Sequence, residues 1–394
     1  MTTVDLTCRE GAARDSREVI DFVGGHPQGG IEHTLEGCGL AALDSHWKWR
    51  SGLCVCRRSG KIVGVLPYSV ARAGKLPLAL CRSDGGSLAD PLDPGPVLGS
   101  MLEWLEKTAR AERACRIELQ SFHPLTIDGR EDSAGMGLLG AMQAGGFVRE
   151  GGMATPFVAM EDPQTQDMAT KNVAMPPLSV VTHATEHYGT YYVPLTDAQT
   201  MEARLSSPCR RKLRKGLREG IVVQCRTDAA AMDEFIPVYL DMCRRKNLRP
   251  RNREYLLGVR ACVQAGTAAV FVCSFRDQPC NFAVVTLTGR PTYWLGAMSS
   301  AALSDEVPHT GQALHFEIMK HLHSLGRGVY DFGGSPGPTP QAGHPNYGVW
   351  KFKHEFNGLY VECIDRMQRV LSPAGNLLME QSHKVIRAVR ALGK

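Results

Sequence analysis

What this 394-residue chain lacks narrows its function first. No apolar run approaches the roughly 18 residues that a membrane-spanning helix needs, so no integral membrane segment is expected. The first 22 residues carry Asp5, Glu10, Asp15 and Glu18 and no apolar core, which is not the pattern of a secretory leader. The thirteen cysteines are odd in number and scattered. Cys54 and Cys56 form the only close pair, and no second pair stands at zinc-ligand spacing. Free thiols in a reducing cytoplasm are therefore expected, with no metal. There is no Gly-x-x-x-x-Gly-Lys-Ser/Thr loop, no dinucleotide fingerprint and no zinc-protease helix. His321 and His323 are two residues apart, so their rings would leave a helix on different faces. The run Gly333-Gly334-Ser335-Pro336-Gly337 imitates a hydrolase nucleophile elbow. The residue after that serine would have to donate its N–H to an oxyanion, and Pro336 has none.

What is present is the composition of a soluble globular protein, 43% apolar and 22% charged, and long enough for two domains. The net charge of +5 hides an asymmetry. Residues 1–187 hold 18 basic against 23 acidic side chains, and residues 188–394 hold 27 against 17. A polyanion or a phosphorylated substrate is therefore expected at the second half.

Periodicity divides the chain into elements. Leu53–Arg57 and Ile62–Val70 read as a hairpin about Ser59-Gly60. Leu98–Arg113 reads as a helix, Ile117–Ser121 as a strand and Leu138–Gly145 as a short helix. Glu161–Glu186 is aperiodic and polar, with three prolines, and reads as a linker or surface insertion. Beyond it, Tyr191–Leu195 is a strand, Met201–Glu219 a basic helix and Ile221–Arg226 a strand. Helices Asp233–Arg245 and Arg253–Ala265 follow, then a hairpin of Ala268–Phe275 and Asn281–Leu287. The strand Thr292–Met298, the helix Gln312–Gly326 and the strand Gly328–Phe332 complete the order. Residues 53–121 and 268–332 share the sequence hairpin, helix, strand, which predicts one fold used twice. Ala374–Leu392 reads as a final amphipathic helix.

Two basic clusters and one loop could carry chemistry. Arg210, Arg211, Lys212, Arg214, Lys215 and Arg218 crowd the basic helix; like charges at i, i+4 repel, so an anionic partner is expected there, the alternative being a solvated face screened by salt. Arg211, Lys212 and Lys215 are the substrate-binding candidates. A second cluster, including Arg244, lies at a helix end, where the macrodipole alone favours cations. The strand ending in Asp331-Phe332 runs into a Gly/Pro-rich loop, Ser335 to Gly348, and then into Trp350-Lys351-Phe352-Lys353. Such a loop lets backbone approach a bound group. A lysine just after it can stabilise charge developing on an acyl carbonyl. Read as an alternating segment, Lys351 and Lys353 point the same way; exposed edge-strand lysines are the plainer reading of the same pattern.

This order resembles the Fem family of aminoacyltransferases. The resemblance rests on Gly60-Lys61-Ile62-Val63-Gly64-Val65-Leu66-Pro67, on Arg210 to Gly220, on Tyr293-Trp294-Leu295-Gly296-Ala297 followed by Leu314 to Gly326, and above all on Asp331-Phe332-Gly333 with Trp350-Lys351-Phe352-Lys353. It implies an α/β fold of tandem acetyltransferase-like (GNAT-like) domains, each a mixed twisted sheet flanked by helices. The expected division is 1–160 for the first domain, 161–187 for the linker, 188–366 for the second domain with the active site, and 367–394 for the C-terminal helix. The implied activity is transfer of an aminoacyl group from aminoacyl-tRNA to an amine. By resemblance, the Phe352 backbone N–H and the Lys353 ammonium stabilise the oxyanion, with Trp294, Asp331 and Lys351 beside the substrate. No cofactor, metal or covalent enzyme intermediate is implied. The coiled-coil insertion of some members is absent, so the acceptor is either a cell-wall precursor or a small molecule. The Arg/Gln-x-x-Gly-x-Gly/Ala loop that holds coenzyme A is also absent, since Pro308 to Ala313 has a single glycine. An acyl-CoA-dependent N-acyltransferase of the exopolysaccharide type is the alternative, and a non-catalytic binding domain is the third reading.

Overall fold

The computed structural model describes residues 6–381 apart from 45–47, 73–77, 150–188 and the single residues 305, 308, 336 and 345. The expected linker, 161–187, lies outside these residues, as does the expected C-terminal helix beyond 381. Residues 373–381 are helical.

The chain builds the same motif twice. In the first half, the hairpin of Trp49–Arg58 and Lys61–Arg72 leads to strand Ala79–Gly85, helix Pro94–Ala111 and strand Ala114–Ser121. In the second, the hairpin of Ala268–Phe275 and Gln278–Thr286 leads to strand Tyr293–Met298, helix Thr310–Ser324 and strand Val329–Ser335. Both hairpins turn through residues with positive φ: Ser59 and Gly60 in one, Arg276 and Asp277 in the other. Such turns match the twist of the flanking strands.

Apolar packing lies on both faces of the second half's four-stranded sheet, 221–226, 268–275, 278–286 and 293–298. One face holds Leu213, Ala313, Leu314, Phe332 and Phe356, from the basic helix, the helix Thr310–Ser324 and the chain beyond. The other holds Met232, Phe235, Leu256 and Val259 from helices Ala229–Arg245 and Arg253–Gln264. Alternation along the strands sorts side chains between these faces.

Three sequence expectations are corrected. The basic segment is not one helix over 201–219 but two, Ala198–Arg204 and Ser207–Arg218. Leu205 and Ser206 are extended between them, and the Ser206 hydroxyl caps the second helix at the Cys209 N–H. Pro208 in the first turn has no N–H to continue a helix from upstream. The segment around Lys351 and Lys353 is a helix, Tyr347–His354, and not an alternating strand. Two residues apart on a helix are about 200° apart, so Lys351 is exposed while Lys353 is buried.

The halves also interleave more than a division at 160–188 and 366 allows. Met367–Val370 is a strand of the first half's sheet, paired with Ala114–Ser121. Pro124–Ile127 joins the second half's five-stranded sheet through Leu359–Cys363.

Candidate active site

The two parallel strands of the second half meet at one point, the bridge between Thr292 and Asp331. Past it they belong to different sheets. The opening between them is packed with aromatic rings: His315 lies within 4.7–5.9 Å of Tyr293, Phe332, Phe352 and Phe356. His315 pairs with the Tyr330 hydroxyl at 3.0 Å. Burial, helped by the nearby Lys353 charge, pushes its imidazole down to about 3, so it is neutral in the folded chain.

Strand Val329–Ser335 carries a β-bulge. Tyr192 pairs with Asp331 and Thr190 with Gly334, leaving Phe332 and Gly333 opposite Tyr191 alone. Gly333 has φ of +72°, and a Cβ there would lie 3.0 Å from the Tyr293 carbonyl. Only glycine suits both constraints. A bulge re-aims backbone groups, and the Gly333 and Gly334 carbonyls both accept from the Lys353 ammonium, the first at 3.0 Å. The lysine helix is held from a second side by Trp350, whose indole N–H donates to Pro338 O at 2.9 Å and lies 3.0 Å from the Tyr191 hydroxyl.

Asp331 does not face a substrate. It is 3% exposed. Its carboxylate pairs with the Arg290 guanidinium at 3.1 Å and accepts from the Gly333 N–H at 2.8 Å and from the Thr190 hydroxyl. Arg290 in turn donates to Gln28 at 2.7 Å and to the Phe122 carbonyl at 3.1 Å, both in the first half. The pair is thus a buried tie between the halves.

The remaining candidates divide. Lys212 pairs with Glu355 at 3.0 Å, and Glu355 also accepts from Gln312 at 3.2 Å, at the start of helix Thr310–Ser324. Arg210 is spent on the Ala203 and Leu205 carbonyls, Arg214 on Glu202 and Lys215 on Glu219 at 3.8 Å. Arg211 and Arg218 are exposed and have no partner among the described residues. Four of the six charges are therefore answered internally, and anion binding would fall to those two. Arg244 pairs with Asp241 on helix Ala229–Arg245, whose apolar side packs on the sheet face opposite the one carrying Phe356. Trp294 packs toward that opposite face too and donates to Tyr255 at 2.9 Å. Neither joins Lys353, because alternation along Tyr293–Met298 sends Tyr293 and Trp294 to opposite sides. Phe352 is the sixth residue of its helix, where the N–H is directed at the carbonyl four residues back. Its ring, against His315 and 3.1 Å from where a Gly311 side chain would start, is what reaches the site.

Thr190, Arg290, Glu355 and His315 escaped the sequence reading. Each is a lone polar residue with no motif around it, and tertiary contacts bring them in: Thr190 from the strand paired with Asp331, Arg290 from the loop before Tyr293–Met298, His315 from within a helix and Glu355 from the end of one. Glu355 alone had a local signal, a carboxylate two residues after Lys353.

A family profile for the acetyltransferase (GNAT) domain matches residues 204–348. Over 178 residues the chain is 24% identical to the UDP-N-acetylmuramoylpentapeptide-lysine N(6)-alanyltransferase of Weissella viridescens. That match covers 45% of this chain and 51% of the relative, so it spans about half the relative's length. The crystal structure of FemX matches with a TM-score of 0.71 at 18% identity, over 95% of this chain and all of that one. The C-terminal domain of a putative lysylphosphatidylglycerol synthetase from Agrobacterium fabrum matches with a TM-score of 0.52 at 16% identity, over 94% and 96%. The fold class is therefore tandem GNAT-like domains. Within that class, the chain is similar in sequence to a Fem-type alanyltransferase and in fold to FemX, the likeness that its closing motif suggested.

Proposed function

We propose that the protein is an N-aminoacyltransferase, moving an aminoacyl group from aminoacyl-tRNA to an amine of a cell-wall precursor or a small-molecule acceptor. The observation that carries this reading is the buried Lys353 ammonium, seated on the Gly333 and Gly334 carbonyls beside the opening between the second half's parallel strands. An amine nitrogen attacks the ester carbonyl carbon. A C–N bond forms, the C–O bond to the ribose breaks, and the amine's proton leaves with the 3′ oxygen or to solvent. Charge collects on the carbonyl oxygen in between, where a fixed ammonium is most effective. The ester is already activated, so holding donor and acceptor together supplies much of the rest. No cofactor is required, and charged tRNA implies work in the cytoplasm.

Two further observations support the donor. Arg211 and Arg218 are exposed cations suited to an RNA backbone. Glu355, paired with Lys212, occupies the start of helix Thr310–Ser324 through Gln312, where a coenzyme A pyrophosphate would seek the helix N-terminus. The alanyltransferase relative, named for a peptidoglycan-precursor lysine, supports an amine acceptor of that kind.

The test is transfer of label from a mixture of charged tRNAs to a small-molecule extract and to UDP-N-acetylmuramoyl-pentapeptide, run beside labelled acetyl-CoA. RNase-sensitive transfer from tRNA is expected. Transfer from acetyl-CoA alone would overturn the reading in favour of an acyl-CoA-dependent enzyme.

A further inference from the structure

We infer that Asp331 and Thr190 are positioning residues that set the seat of Lys353, acting through the bulged Gly333 peptide. The inference rests on the proposed role of Lys353.

A lysine side chain has four rotatable bonds and places a point charge poorly unless its ammonium is held. Here two backbone carbonyls hold it. The Gly333 carbonyl is available because the bulge at Phe332-Gly333 takes it out of regular pairing with Gly189–Pro194, and the Gly334 carbonyl beside it is the second acceptor. A bulge with a glycine at φ of +72° is not self-sustaining, since glycine has the widest backbone freedom. Something must choose this conformation. The Asp331 carboxylate does so from two residues upstream by accepting the Gly333 N–H at 2.8 Å. The N–H and C=O of Gly333 are thereby both fixed, one by Asp331 and the other by Lys353.

Thr190 completes the clamp from the neighbouring strand. Its hydroxyl lies within hydrogen-bond distance of the Asp331 carboxylate and 2.7 Å from the Gly333 carbonyl. One proton serves one acceptor at a time, and the charged carboxylate is the stronger. The carbonyl is then left to Lys353. Thr190 is 1% exposed and Asp331 3%, so neither reaches solvent or a substrate in the opening. Arg290, at 3.1 Å, orients the carboxylate, and it binds the first half through Gln28, Phe122 and Gly29. Contacts made by the first half thus reach the ammonium through three residues.

Asp331→Asn leaves Arg290 uncompensated and can fail to fold, so Thr190→Val and Thr190→Ser carry the test. The first readout needs no substrate: the full-length proteins are treated with acetic anhydride, and acetylation of Lys353 is followed by mass spectrometry with Lys351 as internal reference. Loss of one hydrogen bond corresponds to a change of about fivefold, so Thr190→Val is expected to acetylate Lys353 about fivefold faster and Thr190→Ser at the wild-type rate. The second readout is label transfer from charged tRNA. Thr190→Val is expected to lower kcat by a similar factor at unchanged KM, and to cause no further loss in a Lys353→Ala background. Unchanged labelling with unchanged kcat overturns the inference, as does an equal loss in both backgrounds. A Lys353→Ala protein with wild-type turnover would instead overturn the role given to Lys353, and the labelling rates separate that failure from a failure of the seat.

Discussion

The two halves use the same strand–helix–strand motif and close it differently. In the first, Ala79–Gly85 and Ala114–Ser121 pair in parallel along their length, from Ala79 opposite Ala114 to Gly85 opposite Ser121. In the second, Tyr293–Met298 and Val329–Ser335 share the single bridge at Thr292 and Asp331 and then separate. A zipped pair satisfies its own backbone groups and leaves nothing for a ligand. A pair that separates must satisfy its backbone by other means, and this one does so with a bulge, a buried carboxylate and a lysine. The motif is a scaffold; the opening is what makes one copy a candidate site.

The difference can be broken or sharpened by substitution. The largest effect should come from the tie that holds the opened copy to the closed one. Arg290→Met strands the Asp331 carboxylate and is expected to cost about 3–5 kcal/mol, read as a lowered midpoint in urea unfolding. Next comes a pair of complementary changes. Lys353→Ala should lower turnover by about 10²-fold while the chain still unfolds cooperatively. Leu119→Ala, at 1% exposure in the zipped pair, should cost about 2–5 kcal/mol and leave kcat of the folded protein unchanged. A turnover loss in Leu119→Ala matching that of Lys353→Ala would erase the distinction between the copies.

Each half also buries a neutral histidine, His123 and His315, both pushed down to about 3 chiefly by burial. The unfolded chain binds these protons near pH 6.5 while the folded chain refuses them until far lower. Stability is therefore present above about pH 6.5 and lost as pH falls toward 3, by up to about 1.4 kcal/mol per pH unit for each group. His123→Gln and His315→Gln should each remove one proton's share of that slope in unfolding measured from pH 7 to 4.5. The smallest effect is expected at the surface of the second half. Arg211→Ala with Arg218→Ala should reduce the slope of log Kd for tRNA against log salt by about 1 to 2. An unchanged slope would make the helix a solvated face.

Much of this fold was legible in the chain. Ile221–Arg226 and Ala268–Phe275 begin and end where alternation and turn residues predicted, and the repeated order of elements anticipated the repeated fold. The lysine segment misled because Trp-Lys-Phe-Lys alternates like a strand. Eight residues are too few for the helical period to declare itself against a two-residue one. Of the candidate site, the sequence singled out Lys353, Phe352 and Asp331, though Asp331 sits under the seat of the lysine and Phe352 reaches the site by its ring. Arg244 and Trp294 carry suitable chemistry, but sequence spacing does not say which face of a sheet a residue meets.

Local periodicity and turn chemistry, written in near neighbours, determined the elements, their order and the lysine after the glycine loop. Tertiary structure decided which parallel pair opens, that Asp331 is buried against Arg290, and that Lys353 rests on two backbone carbonyls. Those outcomes depend on pairing among residues 28, 122, 190, 290, 331 and 353. Contacts at such separations leave no periodic trace, because each rests on a single residue brought into place by the packing of everything between.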